Sequence, residues 1–129
     1  MKIRKLGNEG LNVSAIGFGA MSITGFFGPT DDKTSQKCLA SAYDNGIDFF
    51  DTAPVYASPS SAHFLGQFLP ATNATLPIAP QSAIHTAPVP PFNTSIAYLS
   101  PSLDKSLQSF RLASVAFFYI PPPPATPSL

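Results

Sequence analysis

Fourteen of the fifteen prolines in this 129-residue chain lie after residue 51; only Pro29 precedes it. Proline removes a backbone donor and fixes φ, so it interrupts helix and sheet ladders alike. Charge is distributed the other way. Residues 1–51 hold eleven of the fourteen charged side chains, and only Asp104, Lys105 and Arg111 follow. Regular structure is therefore easiest to build in the first part. The second part has few groups with which to present a charged surface.

Periodicity supports that division. "KIRKLGNEGLNVSAIG" reads as a short hairpin, with "GNEG" as its turn. "SAIGFGAM" reads as a buried strand ending in glycines. Residues 31–46, "DDKTSQKCLASAYDNG", form a helix with Asp31 or Asp32 as cap and Asn45-Gly46 as stop. Cys38, Leu39, Ala42 and Tyr43 fall on one face of it, which predicts a buried Cys38. "IDFFDTA" is the next strand and "SSAHFLGQFL" the next helix. The signal decays beyond Leu69, so the ordered part is expected to reach about that residue. "LPIAPQSAI" is strand-like but broken by Pro77 and Pro80. Ser100 and Pro101 open a helix, "VAFFYI" is a buried strand, and "PPPPATPSL" is a polyproline-like tail. Repeated strand–helix units imply parallel strands, in an open doubly wound sheet or the start of a (β/α)8 barrel.

Composition excludes several classes. The formal net charge is zero, so nothing favours nucleic acid or an anionic membrane. "LASVAFFYI" is too short for a bilayer-spanning helix, which needs ~20 residues. "MKIRK" is followed by "LGNEGLN" rather than an apolar run, unlike a secretory signal. One cysteine allows no internal disulfide, and a reduced, cytoplasmic setting is expected. His85 has no cluster of ligands around it, so no metal site is expected.

Residues 49–69, "FFDTAPVYASPSSAHFLGQFL", place a carboxylate and a phenol at the end of a buried strand. An aspartate there is commonly a turn-capping group. Three separated motifs add a second reading. "RKLGNEGLNVSAIGFGAM", "YDNGIDFFDTAPVY" and "FLGQFL" together resemble the start of an aldo-keto reductase over residues 1–69, with a weaker likeness over 76–121. The resemblance implies an incomplete (β/α)8 barrel: an N-terminal hairpin, about four β/α units in residues 1–121, and a Pro-rich disordered tail at 122–129. It implies an oxidoreductase that reduces a small aldehyde or ketone with NADP as cofactor. By resemblance Asp51 and Tyr56 hold catalytic positions, and Gly19, Ala20, Met21 and Asp51 lie near the nicotinamide.

The resemblance also shows what is changed. The family's catalytic lysine aligns with Gln81 and its histidine with Pro121. Glutamine carries no charge, and proline has no side-chain donor. A phenol has a pKa of ~10 and needs a neighbouring cation to become a useful acid. A full barrel takes ~250 residues, and the family's adenine and phosphate contacts come largely from the other half. The implied chain is therefore a reductase-like fragment without activity. The alternative is a non-catalytic half-barrel, or an unstable product of a degraded gene, acting if at all by self-association through open barrel edges. Lys to Gln, Thr to Pro at Pro80 and His to Pro are each one adenine-to-cytosine change, which fits a degraded copy.

Overall fold

In a computed structural model, residues 1–53, 56, 61–72, 76–82 and 93–120 are described; of 71 and 72, only the backbone. Strand β1 (Ile3–Lys5) pairs antiparallel with β2 (Asn12–Ser14), with Arg4 opposite Val13. This is the hairpin expected from "GNEG". It is fastened to the main sheet by a reciprocal pair. The Ser14 amide donates to Asp48 Oδ1 at 2.7 Å, and the Asp48 amide donates to Ser14 Oγ at 3.1 Å.

The main sheet contains β3 (Phe18–Gly19), β4 (Phe50–Thr52) and β5 (Ile78–Pro80), all parallel and in chain order. A parallel bridge between Gln81 and Tyr119 adds the beginning of a fourth strand. The strand expected over "SAIGFGAM" is thus short, because Ala20–Ile23 turn into a 3-10 helix.

Helix α1 (Asp32–Asp44) is bounded by its caps. Asp31 Oδ1 accepts from the Thr34 amide at 2.8 Å, and Gly46 leaves the helix at φ +83°, a conformation that favours glycine. Ser35 and Leu39, four residues apart, define its buried line. Cys38 lies off that line and is exposed, contrary to expectation. Helix α2 (Ser61–Thr72) contains Pro70. Helix α3 (Ile96–Phe110) begins four residues before Ser100 and includes Pro101. Each proline costs one ladder bond, and packing outweighs that loss.

Phe50 and Ile78 point to one face of the sheet, where Leu39, Phe64, Leu65, Phe68 and Phe110 from the three helices complete a single core. Gly66 lets α2 and α3 approach closely: a Cβ there would collide with the carbonyl oxygen of Ser109. The third strand–helix unit is present, and regular structure continues past Leu69 in β5 and α3. "VAFFYI" is only in part a strand, and Tyr119 and Ile120 are 41% and 48% exposed rather than buried. His85, Pro121 and the 122–129 tail lie outside the described residues.

Candidate functional site

The site sits where the parallel strands end. Asp51 in β4 is in register with Gly19 of β3 on one side and Ala79 of β5 on the other. Alternation turns Phe50 and Thr52 toward the helices, so Asp51 faces the opposite way. Gln81 follows β5 directly. Its amide donates to the Thr52 carbonyl at 2.7 Å, which holds its side chain beside Asp51.

Tyr56 lies between β4 and α2, and both ends of its segment are anchored. Its amide donates to the Ala53 carbonyl at 3.1 Å. The buried hydroxyls of Thr52 and Ser61 are 2.5 Å apart, joining the end of β4 to the start of α2.

Three side chains converge. Gln81 Nε2 donates to Asp51 Oδ1 at 3.0 Å and Oδ2 at 2.8 Å, and lies 3.3 Å from the Tyr56 hydroxyl oxygen, to which it also donates. All three are partly buried. A neutral amide thus links a carboxylate to a phenol. Burial raises the Tyr56 pKa most, the Asp51 charge raises it further, and the Gln81 hydrogen bond opposes both. The hydroxyl remains protonated at neutral pH. It can donate a hydrogen bond to an oxygen, but it is a weak proton source.

The other expected positions divide. Gly19 is exposed, and a Cβ built there meets no atom of the described residues within 4 Å. Met21 is partly buried. Ala20 is wholly buried in the core, leaving only its backbone for any ligand. Tyr119, bridged to Gln81, belongs to the same edge and was not singled out from sequence. Its signal was only its place in "VAFFYI". Among the described residues, no cluster of His, Cys, Asp or Glu could hold a metal ion, and no helix is long and apolar enough to cross a membrane.

The aldo/keto reductase family profile matches residues 15–127. Over 71 residues the chain is 42% identical to L-galactose dehydrogenase of Arabidopsis thaliana, covering 55% of this chain and 22% of that protein. Over 66 residues it is 36% identical to pyridoxal 4-dehydrogenase of Microbacterium luteolum, covering 51% of this chain and 19% of that one. The chain thus spans about a fifth of the length of these relatives. The solved holo form of aldo-keto reductase AKR11C1 from Bacillus halodurans superposes with a TM-score of 0.79 at 24% identity, over 93% of this chain and 40% of that one. That likeness concerns the fold, a (β/α)8 barrel of which this chain forms an unclosed part.

Proposed function

Because this chain belongs to the aldo/keto reductase family, we propose that the Asp51–Gln81–Tyr56 cluster is the family's carbonyl-reduction site in a form that does not turn over. One observation carries the reading. The group bonded to both Asp51 oxygens and to the Tyr56 hydroxyl is an amide, where proton donation by a phenol calls for a cation. Reduction of an aldehyde or ketone places a proton on the carbonyl oxygen. Tyr56 can orient that oxygen by donating a hydrogen bond. Its raised pKa opposes releasing the proton. Loss of effective acid catalysis is worth ~10²–10⁴-fold.

The residues present fit the nicotinamide end of a dinucleotide. Gly19 is exposed, Asp51 is its register partner, and Met21 follows two residues on. Gly19, Met21, Asp51 and the Ala20 backbone would hold that end, with NADPH as the expected cofactor. When bound, it supplies hydride to the carbonyl carbon. Asp51 fixes the Gln81 amide, and that amide fixes Tyr56 at the reacting oxygen.

The test is NADPH oxidation with a reactive aromatic aldehyde, alongside NADPH fluorescence titration. The expected result is no oxidation above a denatured control. Turnover that Tyr56→Phe abolishes would overturn the reading. Among the described residues β3 and Tyr119 are each paired on one side only, and with Tyr119 and Ile120 exposed this favours a second reading, a role through self-association.

A further inference from the structure

We infer that the Asp51–Gln81–Tyr56 cluster binds a primary ammonium group carried on an aromatic body, the ammonium seated on the Asp51 carboxylate and the body laid along the rings of Phe49, Phe117 and Tyr119. The inference deepens the reading proposed above and rests on it for the place of the site.

The first observation is how the hydrogen bonds of the cluster are used. Gln81 Nε2 has two hydrogens, shared among Asp51 Oδ1, Asp51 Oδ2 and the Tyr56 hydroxyl oxygen. Its donors are fully engaged. Among the described residues nothing donates to Gln81 Oε1. The Tyr56 oxygen keeps a second lone pair, and the Asp51 carboxylate can accept further bonds. Three side chains joined through one amide therefore each offer an acceptor. A primary ammonium carries three donors.

The second observation is charge. All seven lysines and arginines of the chain lie among the described residues, and none is paired with Asp51. The carboxylate is held by a neutral donor instead. Burial and then the Asp51 charge raise the Tyr56 pKa, so that charge acts on the cluster without a cation to offset it.

The third observation is the rings. Phe49 lies two residues before Asp51, and Tyr119 is bridged in register to Gln81, so these side chains leave one face of the sheet. Phe49 meets Phe117 edge-on at 5.9 Å, and Phe117 stacks on Tyr119 at 6.5 Å. Ring faces attract a cation, and rings pack well against an aromatic body.

Chemistry then selects the ligand. An aldehyde or ketone engages only the Tyr56 hydroxyl and leaves the carboxylate uncompensated. A metal ion calls for several anionic or imidazole ligands, and no such group exists among the described residues. An ammonium meets the charge and the acceptors together, and its aromatic body meets the rings.

Titration of the full chain with benzylammonium at neutral pH tests this, followed by heteronuclear NMR at the Gln81 side-chain amide and the backbone amides at positions 51 and 81. The expected result is a saturable shift with a Kd of ~1–10 mM. Benzyl alcohol, the neutral isostere, should bind about 10-fold more weakly or worse, and this comparison needs no variant. Asp51→Asn should weaken benzylammonium binding by about 10-fold and leave that of the alcohol unchanged. Gln81→Lys, whose own ammonium reaches the carboxylate, should abolish it. No saturable shift in the parent, equal affinity for the alcohol, or undiminished binding to Asp51→Asn or Gln81→Lys would each overturn the proposal. The titration contains neither NADPH nor aldehyde, so its failure is distinct from that of the catalytic reading, which the oxidation assay decides.

Discussion

Gln81 Nε2 bridges both carboxylate oxygens of Asp51, at 3.0 and 2.8 Å, across neighbouring parallel strands. The donor is neutral and the acceptor charged. Replacing the amide by an ammonium changes the electrostatics while keeping a donor at the same place.

Gln81→Lys should therefore stabilise the chain more with Asp51 present than in an Asp51→Asn background. The groups are only partly buried, so the coupling should be ~0.5–1 kcal/mol. Asp51→Asn alone should be close to neutral, since its amide oxygen still accepts from Gln81. Urea unfolding of the four proteins measures the cycle. No coupling would mean that residue 81 does not face residue 51 in solution.

Tyr56 should ionise above the range of a free phenol. Burial is the larger cause and the Asp51 charge the next. Asp51→Asn and Gln81→Lys should both bring it down. Tyrosinate absorbance of each protein, minus that of its Tyr56→Phe counterpart, isolates the group. Because the folded pKa is raised, the stability contributed by neutral Tyr56 is fully present below pH ~10. It is lost as pH climbs through the folded value.

Gly66→Ala should be destabilising by ~1–3 kcal/mol, since its Cβ meets the Ser109 carbonyl at the α2–α3 crossing. Gly19→Ala points into open space and should stay within ~0.5 kcal/mol of the parent. Thermal unfolding of the pair distinguishes a packing glycine from an unconstrained one.

Asp31 is held below the ordinary carboxylate range, first by the Thr34 amide and then by the Thr34 hydroxyl. Its contribution to α1 is complete above pH ~4 and lost as pH falls through the lowered value. Circular dichroism against pH should show an acid step in the parent. Asp31→Asn, which caps without ionising, should lack that step. A step of equal size in both would remove Asp31 as its source.

The sequence reading succeeded where local chemistry and packing agree. The ends of α1 were legible because Asp31 and Asn45-Gly46 are both caps and boundaries. The Asp51–Gln81 juxtaposition was legible only through the family likeness, since the residues are thirty positions apart. Cys38 was misjudged because the apolar stripe and the buried line differ: buried Ser35 sets the line. The start of α3 was placed too late because Ser100-Pro101 imitates a helix entry, while the helix opens earlier at Ser95, whose carbonyl accepts from the Tyr98 and Leu99 amides. Tyr119 and Ile120 were expected inside because "VAFFYI" is apolar throughout, but burial of a strand depends on its neighbours, and among the described residues Tyr119 is bridged on one side only.

The reciprocal Ser14–Asp48 pair joins groups 34 residues apart, with α1 inside the loop it closes. A preformed α1 shortens the flexible path between them, lowering the entropy of closure. The hairpin should therefore dock after α1 has formed, as a separate cooperative step. Both amides of the pair are freed by the same event. Native-state hydrogen exchange at Ser14 and Asp48 should consequently report one shared opening free energy, that of the sheet's floor detaching as a unit.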